Sequence, residues 1–203
     1  MTEKNKYRII NIRRYIGNEN PELGEDELLQ ILSEFSCPMN PDVERFLKHS
    51  SIEFTKKNQS VTYLVFSVAD GKLLGYFTLA LKPLTVRGET VSNTVKRKLL
   101  RVSELDKKSD TYTMSAYLIA QLGKNYSEND GKMITGAELL ELAWDKIKAT
   151  QYMFGGMVTF LEAENEEKLL SFYRNNRFSQ FDTRQTASDT DGSHELVQLL
   201  RLL

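Results

Sequence analysis

Residues 113–122 read TMSAYLIAQL, residues 123–134 read GKNYSENDGKMI and residues 135–150 read TGAELLELAWDKIKAT; these runs decide the fold. The first is rich in apolar side chains, which predicts a strand buried in a sheet. The third opens on Thr135-Gly136-Ala137-Glu138, the capping-box spacing. There the threonine hydroxyl accepts from the third helical amide and the glutamate reaches back to the threonine amide. Behind it Leu139, Leu140, Leu142, Ala143, Trp144 and Ile147 fall at helical spacing and predict a face packed on a sheet. Between strand and helix lies a polar loop with Asn129, Asp130, Gly131 and Lys132. Strand, glycine-containing loop and helix amino terminus bring unpaired amides and the positive end of a helix dipole to one place, where a phosphate is stabilised. An ordinary loop before a capped helix satisfies the same pattern, so a second signal is needed.

That second signal lies downstream. GGMVTFLEAE (155–164) reads as a strand and NEEKLLSFYRNN (165–176) as a helix with Leu169 and Tyr173 on one face. RFSQF (177–181) then reads as a strand, followed by a polar loop and a last strand, HELVQLLRL (194–202). A phenol with an ordinary pKa of about 10 is protonated at neutral pH and suits protonation of a leaving thiolate; packing explains Tyr173 equally well. Upstream, VTYLVFSV (61–68) and KLLGYFTLAL (72–81) joined through Asp70-Gly71 predict a hairpin. GEDELLQILSEF (24–35) predicts a helix stopping near Ser36, ahead of Pro38. A second helix is expected from Asn40 or Pro41, with Val43, Phe46, Leu47, Ser50 and Phe54 as its apolar stripe. YRIINIRRYI (7–16) reads either as an edge strand with Arg8, Arg13 and Arg14 facing water or as an arm over residues 1–20.

From Lys82 to Lys108 there are eight basic residues against three acidic ones, so residues 82–110 are read as a locally basic insertion interrupted by Pro83 and Gly88. Strands alternating with helices argue for an α/β fold in a single domain, residues 1–203. The whole chain has 27 Lys and Arg against 28 Asp and Glu, which excludes a uniformly basic nucleic-acid coat. Cys37 is the one cysteine and His49 and His194 the two histidines, too few for the ligand sets of structural zinc, so no metal is expected. No run reaches the ~20 apolar residues of a membrane span, and the expectation is a soluble, cytoplasmic protein without membrane contact.

YLIAQL, the phosphate-facing loop, TGAELL and an Asn-initiated helix holding Phe172-Tyr173 and ending near Phe178 together resemble the GNAT N-acetyltransferase superfamily. The resemblance covers about Phe35 to Leu203. It implies a mixed, mostly antiparallel central sheet with a splayed strand pair and flanking helices, and acetyl-CoA as acetyl donor. Carried over, it assigns the pantetheine arm to the backbone of Leu122, Gly123 and Lys124. It assigns the pyrophosphate to Gly131, Lys132, Met133, Ile134, Thr135, Gly136 and Ala137. Gly136 matches the last position of the family's loop pattern, while Gly131 and Ile134 stand where Arg or Gln and Gly are usual. Asn165 matches the residue that opens the cofactor-contacting helix, and Tyr173 the tyrosine that protonates the CoA thiolate. The usual glycine before the terminal Phe is Arg177, and Asn176 is expected to take the left-handed turn in its place.

Phe35-Ser36-Cys37 followed by PDVERFLK, TYLVF and GYFTLAL is similar to the acetyltransferase toxins of bacterial toxin-antitoxin pairs, which implies tRNA and an antitoxin as partners. Lys82, Arg87, Lys96, Arg97, Lys98 and Arg101 would then meet an RNA backbone, although a solvated face explains a charge run as well. The general reading is acetylation of a primary amine by direct attack. The alternatives are a toxin acting on aminoacyl-tRNA and a catalytically silent binding module; a homodimer is compatible with each. Glu162 and Glu164 share one side of their strand and are the candidates for a general base. Cys37 reads as a buried small residue.

Overall fold

The computed structural model describes residues 6–17, 22–127, 133–188 and 192–203. Among the described residues eight strands form a mixed, mostly antiparallel sheet with flanking helices. The chain divides into two compact units, residues 1–80 with 119–145 and residues 81–118 with 146–203.

In the first unit β1 (Tyr7–Asn11) lies antiparallel to β2 (Val61–Ser67), which pairs with the first part of β3 (Leu73–Arg87). Gly71, at φ 72°, makes the β2–β3 turn. Because side chains alternate along a strand, the hairpin serves two cores. Leu64 and Tyr76 enter one core with Leu28 and Leu32 of α2 (Glu25–Ser33) and Val43 and Leu47 of α3 (Pro41–His49). Val65 and Phe77 enter the other with Leu139 and Ala143 of α6 (Gly136–Phe154). Burial on both faces explains why these strands read as nearly continuous apolar runs.

In the second unit the latter part of β3 is followed by α5 (Asn93–Leu99), β4 (Glu104–Asp106) and the first part of β5 (Thr111–Lys124). β5 pairs in parallel with β6 (Val158–Glu164) at Tyr117↔Thr159 and Leu118↔Phe160. β6 is antiparallel to β8 (Gly192–Leu202), and β8 to β7 (Ser179–Ser188). α7 (Glu167–Asn175) connects β6 to β7. Leu84, Val86, Met114, Phe160 and Phe181 share this unit's core.

The structure corrects several local expectations. Residues 7–11 form the edge strand, but Arg13 and Arg14 belong to a short helix, α1 (Arg13–Ile16). The expected second helix is two, α3 and α4 (Ser51–Lys56), broken at Ser50 (φ −121°). The break rotates the stripe: Ser51, Ile52 and Thr55 are buried, while Phe54 is 40% exposed and packs edge-on against Phe46 at 5.5 Å. Pro83 does not interrupt β3. It lies within the strand and is exposed, where a missing N–H is tolerated if that position owes no ladder bond. The segment read as a polar loop after Phe181 continues β7 to Ser188, past a register shift between Gln180 and Asp182, because β8 supplies a partner for each polar residue.

Candidate active site

The sequence-derived site residues fall into two groups, Leu122–Ala137 in the first unit and Glu162, Asn165 and Tyr173 in the second. Gly131 and Lys132, with the loop residues Asn129 and Asp130, lie outside the described residues.

The start of α6 is the capping box that the sequence announces. The amide of Glu138 donates to Thr135 Oγ1 at 3.1 Å, and the amide and hydroxyl of Thr135 donate to Glu138 Oε2 at 2.7 and 2.8 Å. Ile134, 1% exposed, precedes the cap and shares the core with Leu139, the fifth residue after it. This is a hydrophobic staple, and it turns the Ile134 side chain away from the helix end. The isoleucine that replaces a glycine of the family pattern therefore does not crowd the α6 terminus. Amides of Gly136 and Ala137 donate to no described side chain.

Glu138 has two further partners that the sequence did not reveal. Tyr7 Oη donates to Glu138 Oε1 at 2.8 Å and Lys6 Nζ lies 3.2 Å from the same oxygen. The Thr135 amide, with the hydroxyls and the ammonium around it, lowers the carboxyl pKa to about 2. A fixed negative charge thus already stands at the positive end of α6, with Lys6 beside it. Nothing in local sequence spacing could have joined β1 to α6, more than 120 residues away.

At the end of β5 the glycine is required by packing. A Cβ on Gly123 would lie 2.5 Å from Val43 Cγ1 and 2.9 Å from Tyr76 Cε1. Leu122 joins the α6-side core together with Met133. Lys124 places its ammonium 5.4 Å from the Tyr126 ring centre. The next residue, Asn125, was missed by sequence reading. Only 2% exposed, it accepts from the amides of Ser36 (2.9 Å) and Ser127 (3.1 Å) and donates to the Leu73 carbonyl (2.9 Å). It ties the exit of β5 to the segment after α2 and to the start of β3.

In the second unit Tyr173 lies on α7, 8% exposed, with its ring edge-on to Phe172 (5.0 Å) and Phe178 (5.9 Å). Burial pushes its pKa up to about 12, and its hydroxyl has no hydrogen-bond partner among the described residues. The helix ends in a Schellman motif: the Phe178 amide donates to the Tyr173 carbonyl at 3.1 Å and the Arg177 amide to the Arg174 carbonyl at 3.0 Å. The left-handed residue of that motif is Arg177, at φ 67°, and not Asn176, whose φ is −95°. The reason is that Asn176 is still the half-helical residue whose amide bonds back to Phe172 and Tyr173.

Asn165 does not open α7. The residue before the helix is Glu166, and Asn165, one position earlier and exposed, lies with its Nδ2 3.4 Å from Glu195 Oε1. Glu162 is committed to neighbours on the antiparallel side of β6, accepting from Arg184 at 2.7 Å and Gln198 at 2.8 Å. Glu164 is half-buried on the same side. Cys37 is buried and its pKa is raised by that burial, which removes it as a nucleophile at neutral pH. Among the described residues no three His, Cys, Asp or Glu side chains cluster as metal ligands, and no helix is long and apolar enough to cross a membrane.

No family model and no curated protein matches the sequence. Solved structures do. The chain is similar to AtaT complexed with acetyl-methionyl-tRNAfMet, with a TM-score of 0.61, 15% identity and 93% of each chain covered. It is similar to a tyrosine-to-phenylalanine mutant of the toxin AtaT bound to the C-terminus of the antitoxin AtaR and acetyl-CoA, with a TM-score of 0.59, 16% identity and coverage of 97% and 93%. It is also similar to a tyrosine-to-phenylalanine mutant of KacT, with a TM-score of 0.63, 16% identity and coverage of 97% and 95%. At these identities the likeness establishes the fold, and that fold is GNAT-like.

Proposed function

We propose, from a fold shared with AtaT and KacT, that this chain is an N-acetyltransferase. It moves the acetyl group of acetyl-CoA to a primary amine, and Tyr173 serves the departing sulfur. The observation that carries this reading is Tyr173 itself: a buried phenol without a hydrogen-bond partner among the described residues, on the helix that follows β6, in a GNAT-like fold.

Acetyl-CoA supplies an activated acyl group whose leaving atom is a thiolate. In this reading the first-turn amides Gly136 and Ala137 hold its diphosphate, and the backbone of Leu122–Lys124 holds the pantetheine. Gly131, Lys132, Met133 and Thr135 complete the loop, Ile134 anchors it from inside, and Asn165 lies at the approach to α7. Tyr173, with its pKa near 12, is fully protonated at pH 7 and donates a hydrogen bond to the sulfur as the carbon–sulfur bond breaks. A thiol is a stronger acid than this phenol, having a pKa of about 8.5, so the phenol is not left ionised. The attacking nitrogen sheds its proton to Glu164 or solvent, the sulfur departs as a thiolate held by the phenol's hydrogen bond, and the charges balance.

The acceptor reading favoured by the comparisons is aminoacyl-tRNA, whose α-amine is a primary amine. One similar structure is AtaT complexed with acetyl-methionyl-tRNAfMet, and another holds AtaR with AtaT. In this reading an antitoxin is a further partner, and a homodimer remains compatible with it. The decisive experiment follows turnover and acetyl-CoA affinity in Tyr173→Phe. We expect kcat to fall by roughly 10²-fold with affinity kept within about threefold, as for loss of one acid in the transition state. Unchanged turnover would make the phenol structural. Failure of the wild-type chain to bind acetyl-CoA would leave a silent binding module.

A further inference from the structure

The second unit contains a cavity of about 430 Å³ that the acetyl-transfer reading does not use. It opens where α7 ends, and its lining includes Arg177, Arg201, Ser92 and Ser179 together with Val95 and Phe181. Among the described residues no carboxylate lines it. That volume suits a small organic ligand, and a lining that combines cationic with apolar side chains selects an anion attached to a ring.

Arg177 singles out the cation. An arginine that ends a helix usually serves the last carbonyls, but here those are taken by others. The Phe172 carbonyl accepts from Asn176 Nδ2 at 2.8 Å, that of Tyr173 from the Phe178 amide at 3.1 Å and that of Arg174 from the Arg177 amide at 3.0 Å. Among the described residues the Arg177 guanidinium has no ion pair or hydrogen bond. Its backbone is left-handed, φ 67°, a conformation that glycine adopts without steric cost. A residue that departs from glycine here brings a side chain that glycine lacks, into a cavity where an unpaired planar guanidinium can pair two of its N–H groups with two oxygens of a phosphate. The helix that provides Val95 also carries Arg97 and Lys98, both exposed and without an ion pair among the described residues.

We propose that this cavity binds a nucleotide, with the phosphate on the Arg177 guanidinium and the base against Val95 and Phe181. The nucleotide is either free or one unit of a single-stranded RNA. The proposal does not depend on acetyl transfer, because its readout is binding and its residues are not those assigned to the acetyl donor.

Titration calorimetry of the full chain tests it with inorganic phosphate, uridine monophosphate and a short single-stranded uridine oligonucleotide. Uridine ligands avoid the adenine that an acyl-CoA site would accept. The expected result is that uridine monophosphate binds at least 10-fold more tightly than phosphate alone. Arg177→Gly should lower that affinity at least 10-fold while raising the melting temperature, so that loss of binding cannot be loss of folding. Ser179→Asp, which places a carboxylate in the lining, should abolish binding. Tighter, salt-dependent binding of the oligonucleotide assigns the site to an RNA strand, and equal binding of monomer and oligomer assigns it to a free nucleotide. Phosphate binding as tightly as the nucleotide, or Arg177→Gly leaving affinity intact, overturns the proposal.

Discussion

Tyr173 is held by its backbone as much as by its ring. The Schellman turn fastens its carbonyl, two phenylalanines flank its ring, and burial keeps the phenol neutral. The sign of the consequence is fixed: a tyrosine whose pKa is raised in the folded state favours folding fully below pH 10, and that contribution fades as pH climbs from 10 to about 12. The gap corresponds to about 3 kcal/mol. Denaturant titrations of wild type and Tyr173→Phe should therefore diverge above pH 10, wild type losing more stability, and parallel profiles would show that the phenol is not shielded. Arg177→Gly should stabilise the chain by about 1 kcal/mol, roughly 2–4 °C in Tm, because the left-handed cost is removed. Gly123→Ala acts the other way. Its methyl meets Val43 Cγ1 at 2.5 Å, and overpacking of this kind costs roughly 1–3 kcal/mol, read as a lower denaturant midpoint.

Among the elements, α6 is the one most fully written in the sequence. Thr135, Glu138, Ile134 and Leu139 combine a capping box with a staple, and all four act within one turn of the helix start. Thr135→Ala should cost about 1 kcal/mol in thermal or denaturant unfolding. Glu138 carries a pKa lowered to about 2, so its contribution is present above about pH 4.5 and is lost as pH falls toward 2. Its side chain is 38% exposed, so solvent screening keeps that contribution small, and the Tm of Glu138→Gln should differ from wild type at pH 7 but converge with it near pH 2. The elements read less well were those decided by partners. β7 reads as a strand only to Phe181 because the residues after it are polar, yet β8 pairs with them as far as Ser188. The α3–α4 stripe was drawn as one helix, and the break at Ser50 moved Phe54 to the surface.

At the scale of the whole molecule, the alternation of Leu64 with Val65 and of Tyr76 with Phe77 places helices on both faces of the β2–β3 hairpin. The fold is shared with AtaT and KacT at 15–16% identity, where few side chains are held in common. Acceptor choice therefore has to be measured on the intact chain. If aminoacyl-tRNA is the acceptor, expression should arrest growth, acetylated aminoacyl-tRNA should accumulate, and Tyr173→Phe should relieve both. Acetylation of polyamines or free amino acids without any effect on growth would return the protein to the class of small-amine enzymes.

Local order was enough to read the hairpin at Asp70-Gly71, the strand before the capping box, the start of α6 and the phenol on α7, because each depends on neighbours within about five residues. Period and capping are short-range properties of the chain. Tertiary structure alone decided that Tyr7 and Lys6 reach Glu138, that Asn125 closes the end of β5, that Gly123 must lack a side chain and that Arg177 turns left-handed beside a cavity. Apart from the local turn at Arg177, these contacts join residues far apart in sequence, and no local propensity encodes the loop closures and packing contacts that select them.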